Sequence, residues 1–168
     1  MEVHLGGAKT FLADYGKGFE RARPTVLFVH GAGMDHSIWP LQARHFAYRG
    51  WNALALDLPG HGRSAGDLRT SIPALADWLW DLIKALDVTS VHLVGNSMGA
   101  GLAIGMTLTH PTRVDKLVLI SGLPSQVMAK LTSRSFRQAL ESRAPSWLVS
   151  FGNWLFGGLV TDSVLKEI

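Results

Sequence analysis

Five consecutive residues, Gly95-Asn96-Ser97-Met98-Gly99, hold a serine between two glycines, and an apolar run, Ser90-Val91-His92-Leu93-Val94, feeds directly into them. A helical pattern of small residues follows, from Ala100 to Thr109. A serine hydroxyl is nearly inert at neutral pH. It becomes a nucleophile when a tight strand-to-helix turn lifts it clear of the backbone and the helix N-terminus faces the negative charge that develops. The spacing therefore predicts Ser97 as a catalytic nucleophile. The plainer use of a serine at this point is as a side-chain cap of the helix that follows; the preceding strand and the paired glycines favour the nucleophile.

Two more motifs sit behind apolar runs. Thr25-Val26-Leu27-Phe28-Val29 passes into His30-Gly31-Ala32-Gly33, and Asn52-Ala53-Leu54-Ala55-Leu56 passes into Asp57-Leu58-Pro59-Gly60-His61-Gly62-Arg63-Ser64. Continuous apolar runs of this length predict strands buried on both faces, and the C-terminal ends of such strands are where open parallel sheets gather their chemistry. Two short strands near Val3–Leu5 and Thr10–Ala13 open the chain around a Gly-Gly turn. A helix is expected from Trp39 to Tyr48, stopping at Gly50. After Pro73, the residues Leu75, Trp78, Leu79, Leu82, Ile83 and Leu86 fall on one helical face. Lys116–Ile120 reads as a last strand. Alternating strands and helices predict an α/β fold with a mostly parallel sheet and right-handed crossovers. Residues 1–122 are expected to form this core. Residues 123–168 are expected to be helical and rich in Trp147, Leu148, Trp154, Leu155 and Phe156.

Composition narrows the partners. The 168 residues are 47% hydrophobic and 17% charged, as suits a sheet covered on both faces. The net charge is +3, but Lys and Arg are scattered along the chain, without the cation stripe and stacking aromatics of a nucleic-acid groove. No nucleic-acid partner is expected. The absence of cysteine excludes disulfides and thiolate metal sites. No metal, nucleotide or flavin signature is present, so no cofactor is expected. The N-terminus lacks the basic start and apolar stretch of a secretory signal. The uncharged stretch from Ala144 to Thr161 is broken by Pro145, Gly152, Asn153, Gly157 and Gly158. A cytoplasmic protein with no membrane span is the expectation.

Taken in order, each behind its strand, the three motifs resemble the N-terminal part of an α/β-hydrolase fold enzyme of the serine hydrolase or esterase type. The resemblance is close over residues 1–122 and implies about six of that fold's eight strands, with residues 123–168 as the start of a helical cap. It implies an oxyanion hole built from the backbone N–H groups of Met98 and Ala32, with Gly33 as an alternative donor and a substrate-binding position. Trp147 and Trp154 would line the substrate pocket, or else simply pack helices on the core. His30 is expected to be a buried organiser of the oxyanion turn. Asp57, His61, Arg63 and Ser64 are expected to be turn structure, and His110 to lie at the opposite end of the sheet.

In this family the triad runs serine, acid, histidine. Downstream of Ser97 the acids are Asp115, Glu141, Asp162 and Glu167, none just after a recognisable late strand, and the only histidine is His110. The resemblance therefore implies that acid and histidine lie beyond Ile168 and that the chain is a C-terminally truncated member. It also implies an open sheet edge through which the chain self-associates or pairs with a second polypeptide. Asn96 and Met98 around the serine resemble the turns of esterases and of carbon–carbon bond hydrolases acting on ring-cleavage products. Haloalkane dehalogenases and epoxide hydrolases of this fold carry aspartate in place of that serine. The expected activity is hydrolysis of a small-molecule ester or other acyl substrate through an acyl-serine. The alternatives are carbon–carbon bond hydrolysis and a non-catalytic binding module.

Overall fold

A computed structural model of the chain describes residues 1–121; Trp147, Trp154 and the expected cap segment lie outside the described residues. The strands are β1 (Glu2–Leu5), β2 (Ala8–Ala13), β3 (Thr25–Val29), β4 (Asn52–Leu56), β5 (Val91–Asn96) and β6 (Val114–Ile120). The helices are α1 (Pro40–Ala47), α2 (Ile72–Leu86) and α3 (Met98–Thr109), with short 3-10 turns at His36–Ile38 and Pro111–Arg113. The six strands form one sheet in the order β1-β2-β4-β3-β5-β6. β1 and β2 are a hairpin added antiparallel to β4, whereas β4, β3, β5 and β6 run parallel. The α/β class and the mostly parallel sheet expected from the alternation are therefore what the chain forms.

Burial explains the patterns. Every residue of β3 and β4 is buried, because helices cover both faces of those central strands. On one face α2 and α3 pack through Leu75, Leu79, Leu82, Ile83, Leu102 and Met106. On the other, α1 packs through Ala43 and Ala47 against Val26, Phe28, Ala53 and Ala55, with Trp39 between them. α2 starts at Ser71, whose hydroxyl accepts the Ala74 N–H at 3.3 Å, one turn earlier than its apolar stripe alone indicates. Pro73 fits there because the first helical turn leaves its N–H groups unpaired in any case. α3 is apolar all round and buried along most of its length, sandwiched between the sheet and α2.

The chain leaves β3 towards α1 on one face of the sheet and leaves β5 towards α3 on the other. The carboxyl ends of β3 and β5, adjacent in the sheet, thus form a topological switch point, where diverging loops open a crevice. Residues 30–34 and 97 lie at that crevice. No helix among the described residues is long and apolar enough to cross a membrane.

Candidate active site

Ser97 follows the last residue of β5 and precedes the first residue of α3, with φ 51° and ψ −112°. An L-residue resists this conformation, and it turns the chain sharply between strand and helix. The turn is anchored on both sides: the Ser97 N–H donates to the Ile120 carbonyl of β6 at 2.9 Å, and the Ser97 carbonyl accepts from the Ala100 N–H at 3.0 Å. The Ser97 hydroxyl makes no capping hydrogen bond to the helix, and the residue is exposed. The capping use of this serine is thereby set aside.

The flanking glycines are required by contact. A Cβ on Gly95 would lie 2.3 Å from the Gly99 carbonyl oxygen, and one on Gly99 would lie 2.4 Å from the Val29 oxygen and 2.6 Å from the His30 oxygen. Strand β5, the start of α3 and the end of β3 approach one another backbone to backbone. No other residue type fits at either position.

The loop after β3 reaches the same point. A Cβ on Gly31 would stand 3.2 Å from the Ser97 Cβ and 3.1 Å from the Asn96 side-chain oxygen. The Gly31 carbonyl accepts from the Met34 N–H at 3.3 Å, closing a turn with Ala32 and Gly33 at its exposed tip, Gly33 at φ 68°. Among the described residues no hydrogen bond takes the Ala32 or Gly33 N–H. Met98, the first residue of α3, likewise has no acceptor within its helix for its N–H.

His30 locks this loop to its neighbour. It is fully buried, and its Nε2 accepts the Leu58 N–H at 3.0 Å. The ring proton must therefore sit on Nδ1, which donates to the Gly31 carbonyl at 2.7 Å. Burial pushes the His30 pKa down, which keeps the ring neutral as this bonding pattern demands. The His61 ring lies 5.1 Å from that of His30, with Nδ1 donating to the Pro59 carbonyl at 3.0 Å.

Asp57, fully buried just past β4, is an anchor of the same kind. Its carboxylate accepts the His36 N–H at 2.7 Å, the His36 Nδ1 at 2.9 Å and the Arg63 N–H at 2.8 Å. The Asp57 carbonyl accepts the Ser64 hydroxyl at 2.7 Å, and that hydroxyl accepts the Phe11 N–H at 2.9 Å. The motif from Asp57 to Ser64 therefore ties the loops after β3 and β4 to β2, the turn structure expected of it. His36, whose role the sequence did not disclose, is the partner that joins the two loops; the one available signal was a histidine next to Asp35, which caps the Ser37 N–H at 2.7 Å. Asp35, His36 and Asp57 are also the described residues closest to a metal-ligand set. The Asp57 oxygens already hold three donors, so the arrangement braces loops.

His110 caps the far end of α3, about 19 Å from Ser97 at the helical rise per residue. It stacks on Trp80 with ring centroids 4.5 Å apart. The expectation that it lies away from the crevice agrees with this placement.

A strained serine against a glycine turn at a switch point is a recurrent arrangement, and residues 24–164 match the family model described as alpha/beta hydrolase fold. The chain belongs to the α/β-hydrolase family. Among curated relatives of this α/β hydrolase, an (E)-2-((N-methylformamido)methylene)succinate hydrolase of Acinetobacter baylyi is 33% identical over 60% of this chain and 38% of its own length. A 2-hydroxy-6-oxononadienedioate/2-hydroxy-6-oxononatrienedioate hydrolase of Escherichia coli is 34% identical over 65% of this chain and 38% of its own length. Among solved structures, a bacterial membrane phospholipase A superposes with a TM-score of 0.66 at 29% identity, covering 74% of this chain and 40% of that one. The chain thus spans well under half the length of these relatives.

Proposed function

We propose that Ser97 is the nucleophile of a carboxylic ester hydrolase and forms an acyl-serine intermediate, with the Met98 and Ala32 N–H groups binding the oxyanion. The observation that carries this reading is the backbone of Ser97: φ 51° and ψ −112° hold a hydroxyl that caps nothing against the turn at Gly31. Strain of this kind is retained where the surrounding structure needs it, and active sites are where it gathers. The free N–H groups at Ala32 and Met98 suit a charge that develops only as the acyl carbonyl becomes tetrahedral; each such donor is worth about 3 kcal/mol of transition-state stabilisation. Gly33, beside Ala32 at the loop tip, leaves room for substrate, and Trp147 and Trp154 would supply its apolar lining.

The general base and its acid are proposed to come from polypeptide following this chain. In support, the histidines on the loops after β3 and β4 are engaged with those loops: His30 between Leu58 and Gly31, His36 on Asp57, and His61 through Nδ1 on the Pro59 carbonyl. A serine without its base retains only the acceleration of about 10³ to 10⁴ over water that oxyanion hole and binding supply.

The test is to treat the complete protein with a fluorophosphonate and a p-nitrophenyl ester. Stoichiometric labelling at Ser97, with hydroxylamine trapping the acyl group as a hydroxamate, is the expected result; labelling unaffected by Ser97→Ala would overturn the assignment. The E. coli relative favours a second reading, hydrolysis of a carbon–carbon bond in a dienoic ring-cleavage product. Turnover of such a diketone acid with no hydroxamate from simple esters would select it. Ser97-independent ligand binding with no turnover of either substrate would select the binding module.

A further inference from the structure

The outer face of α1 carries a pattern that the proposed reaction does not use. At 100° per residue, Leu41 and Tyr48 fall on one ridge pointing away from the sheet, opposite the buried Ala43 and Ala47. Leu41 is 79% and Tyr48 63% exposed. Arg44 flanks the ridge on one side, and His45 and Arg49 flank it on the other. Upstream in the chain Ile38 and Met34 are also exposed, and the Met34 sulfur would touch a Cβ on Gly31, as would the Ser97 Cβ. A second loop adds Lys17, whose Nζ lies 4.1 Å from the centre of the Tyr48 ring.

Single exposed apolar residues are ordinary on a protein surface. Here Leu41 and Tyr48 share one helical ridge with cations on both sides, and two more exposed apolar residues, Ile38 and Met34, precede that helix in the chain. Residues 36–51 contain no Asp or Glu, and among the described residues none of Lys17, Arg44 and Arg49 has a carboxylate at ion-pair distance. The charge that complements this face is therefore missing from the described part of the molecule. The apolar side chains stand up from a convex helix, so they offer no groove to a peptide, whereas a lipid interface supplies hydrocarbon for the ridge and phosphate for its flanks at the same time.

We propose that the outer face of α1, together with Lys17, docks this protein on an anionic lipid surface and brings the mouth at Ser97 to the interface. The docking stands independently of whether Ser97 is a nucleophile. Sedimentation of the full chain with phosphatidylcholine vesicles, with and without phosphatidylglycerol, tests it. Binding is expected only when phosphatidylglycerol is present, and it should weaken as salt is raised. Replacing Lys17, Arg44 and Arg49 by Gln should reduce the partition coefficient by about fivefold for each cation removed. The double variant Leu41→Ser, Tyr48→Ser should lose the remainder while circular dichroism stays that of the parent, since both side chains are outside the core. Three results would overturn the proposal: no binding to anionic vesicles, equal binding to neutral ones, or undiminished binding by both variants. Capture of an acidic protein through this face in the absence of vesicle binding would also overturn it, in favour of a protein partner.

Discussion

At Ser97, the proposed function and stability pull in opposite directions. A backbone at φ 51° and ψ −112° costs an L-residue about 1 to 3 kcal/mol, and glycine escapes most of that cost. Ser97→Gly should therefore raise the urea midpoint, by about 1 kcal/mol of stability, while abolishing fluorophosphonate labelling. A loss of stability would mean that the hydroxyl has a structural partner. His30 sets a second balance. Burial lowers its pKa from the ordinary 6.5, so below that value the unfolded chain takes up a proton that the folded chain refuses. His92 behaves alike, its pKa also lowered chiefly by burial. Stability contributed by these rings is complete above pH 6.5 and is lost as pH falls through and below it, with a slope of up to about 1.4 kcal/mol per pH unit for each ring. Urea titrations from neutral pH downwards should show the decline beginning there, and His30→Asn should flatten it. The serine itself was legible in the sequence because two glycines and a strand bracket it; the Asp57–His36 brace was not, because its two residues are 21 apart and only the folded loops bring them together.

Elements meet at this site through glycine. Gly99 faces backbone, with a would-be Cβ 2.4 Å from the Val29 oxygen, whereas Gly105 on the same helix faces the Ile72 side-chain methyl at 3.0 Å. Backbone cannot retreat as a side chain can. Gly99→Ala should destabilise the chain by about 3 kcal/mol and displace Ser97 from the Gly31 loop. Gly105→Ala should be nearly neutral, because the gain of about 1 kcal/mol in helix propensity offsets a small shift of Ile72. Thermal melts of the two variants separate the cases, and equal losses would show that the contact at Gly99 is not what holds β3, β5 and α3 together. The same distinction governs what a reader of the sequence finds. The stripe of α2 and the runs of β3 and β4 were readable, since burial writes itself into periodicity. The start of α2 at Ile72 and the extension of β6 back to Val114 were not, because a capping hydroxyl and a parallel partner set those limits.

For the molecule as a whole, the switch of direction at β3 makes the crevice, and strand order is the property least visible in a linear pattern. The motifs after β3, β4 and β5 could be placed at one end of a sheet from their sequence context, but that β3 stands between the other two follows only from the pairing. The same pairing leaves β6 at the edge, with no partner on its outer side among the described residues. The Ile120 carbonyl faces β5, where it accepts from Ser97, so by alternation the backbone groups of Val118 also face inwards and those of Leu117 and Leu119 face outwards. An exposed row of donors and acceptors on an apolar strand is a template for pairing with a second copy. Light scattering on this chain should accordingly show association that increases with concentration. Leu119→Pro is the decisive variant, because it removes one outward N–H while leaving every hydrogen bond to β5 in place, and proline is tolerated at such edge positions. It should shift the chain towards monomer without lowering cooperativity of unfolding. Association that survives this change would place the contact elsewhere, with the ridge on α1 the next surface to alter.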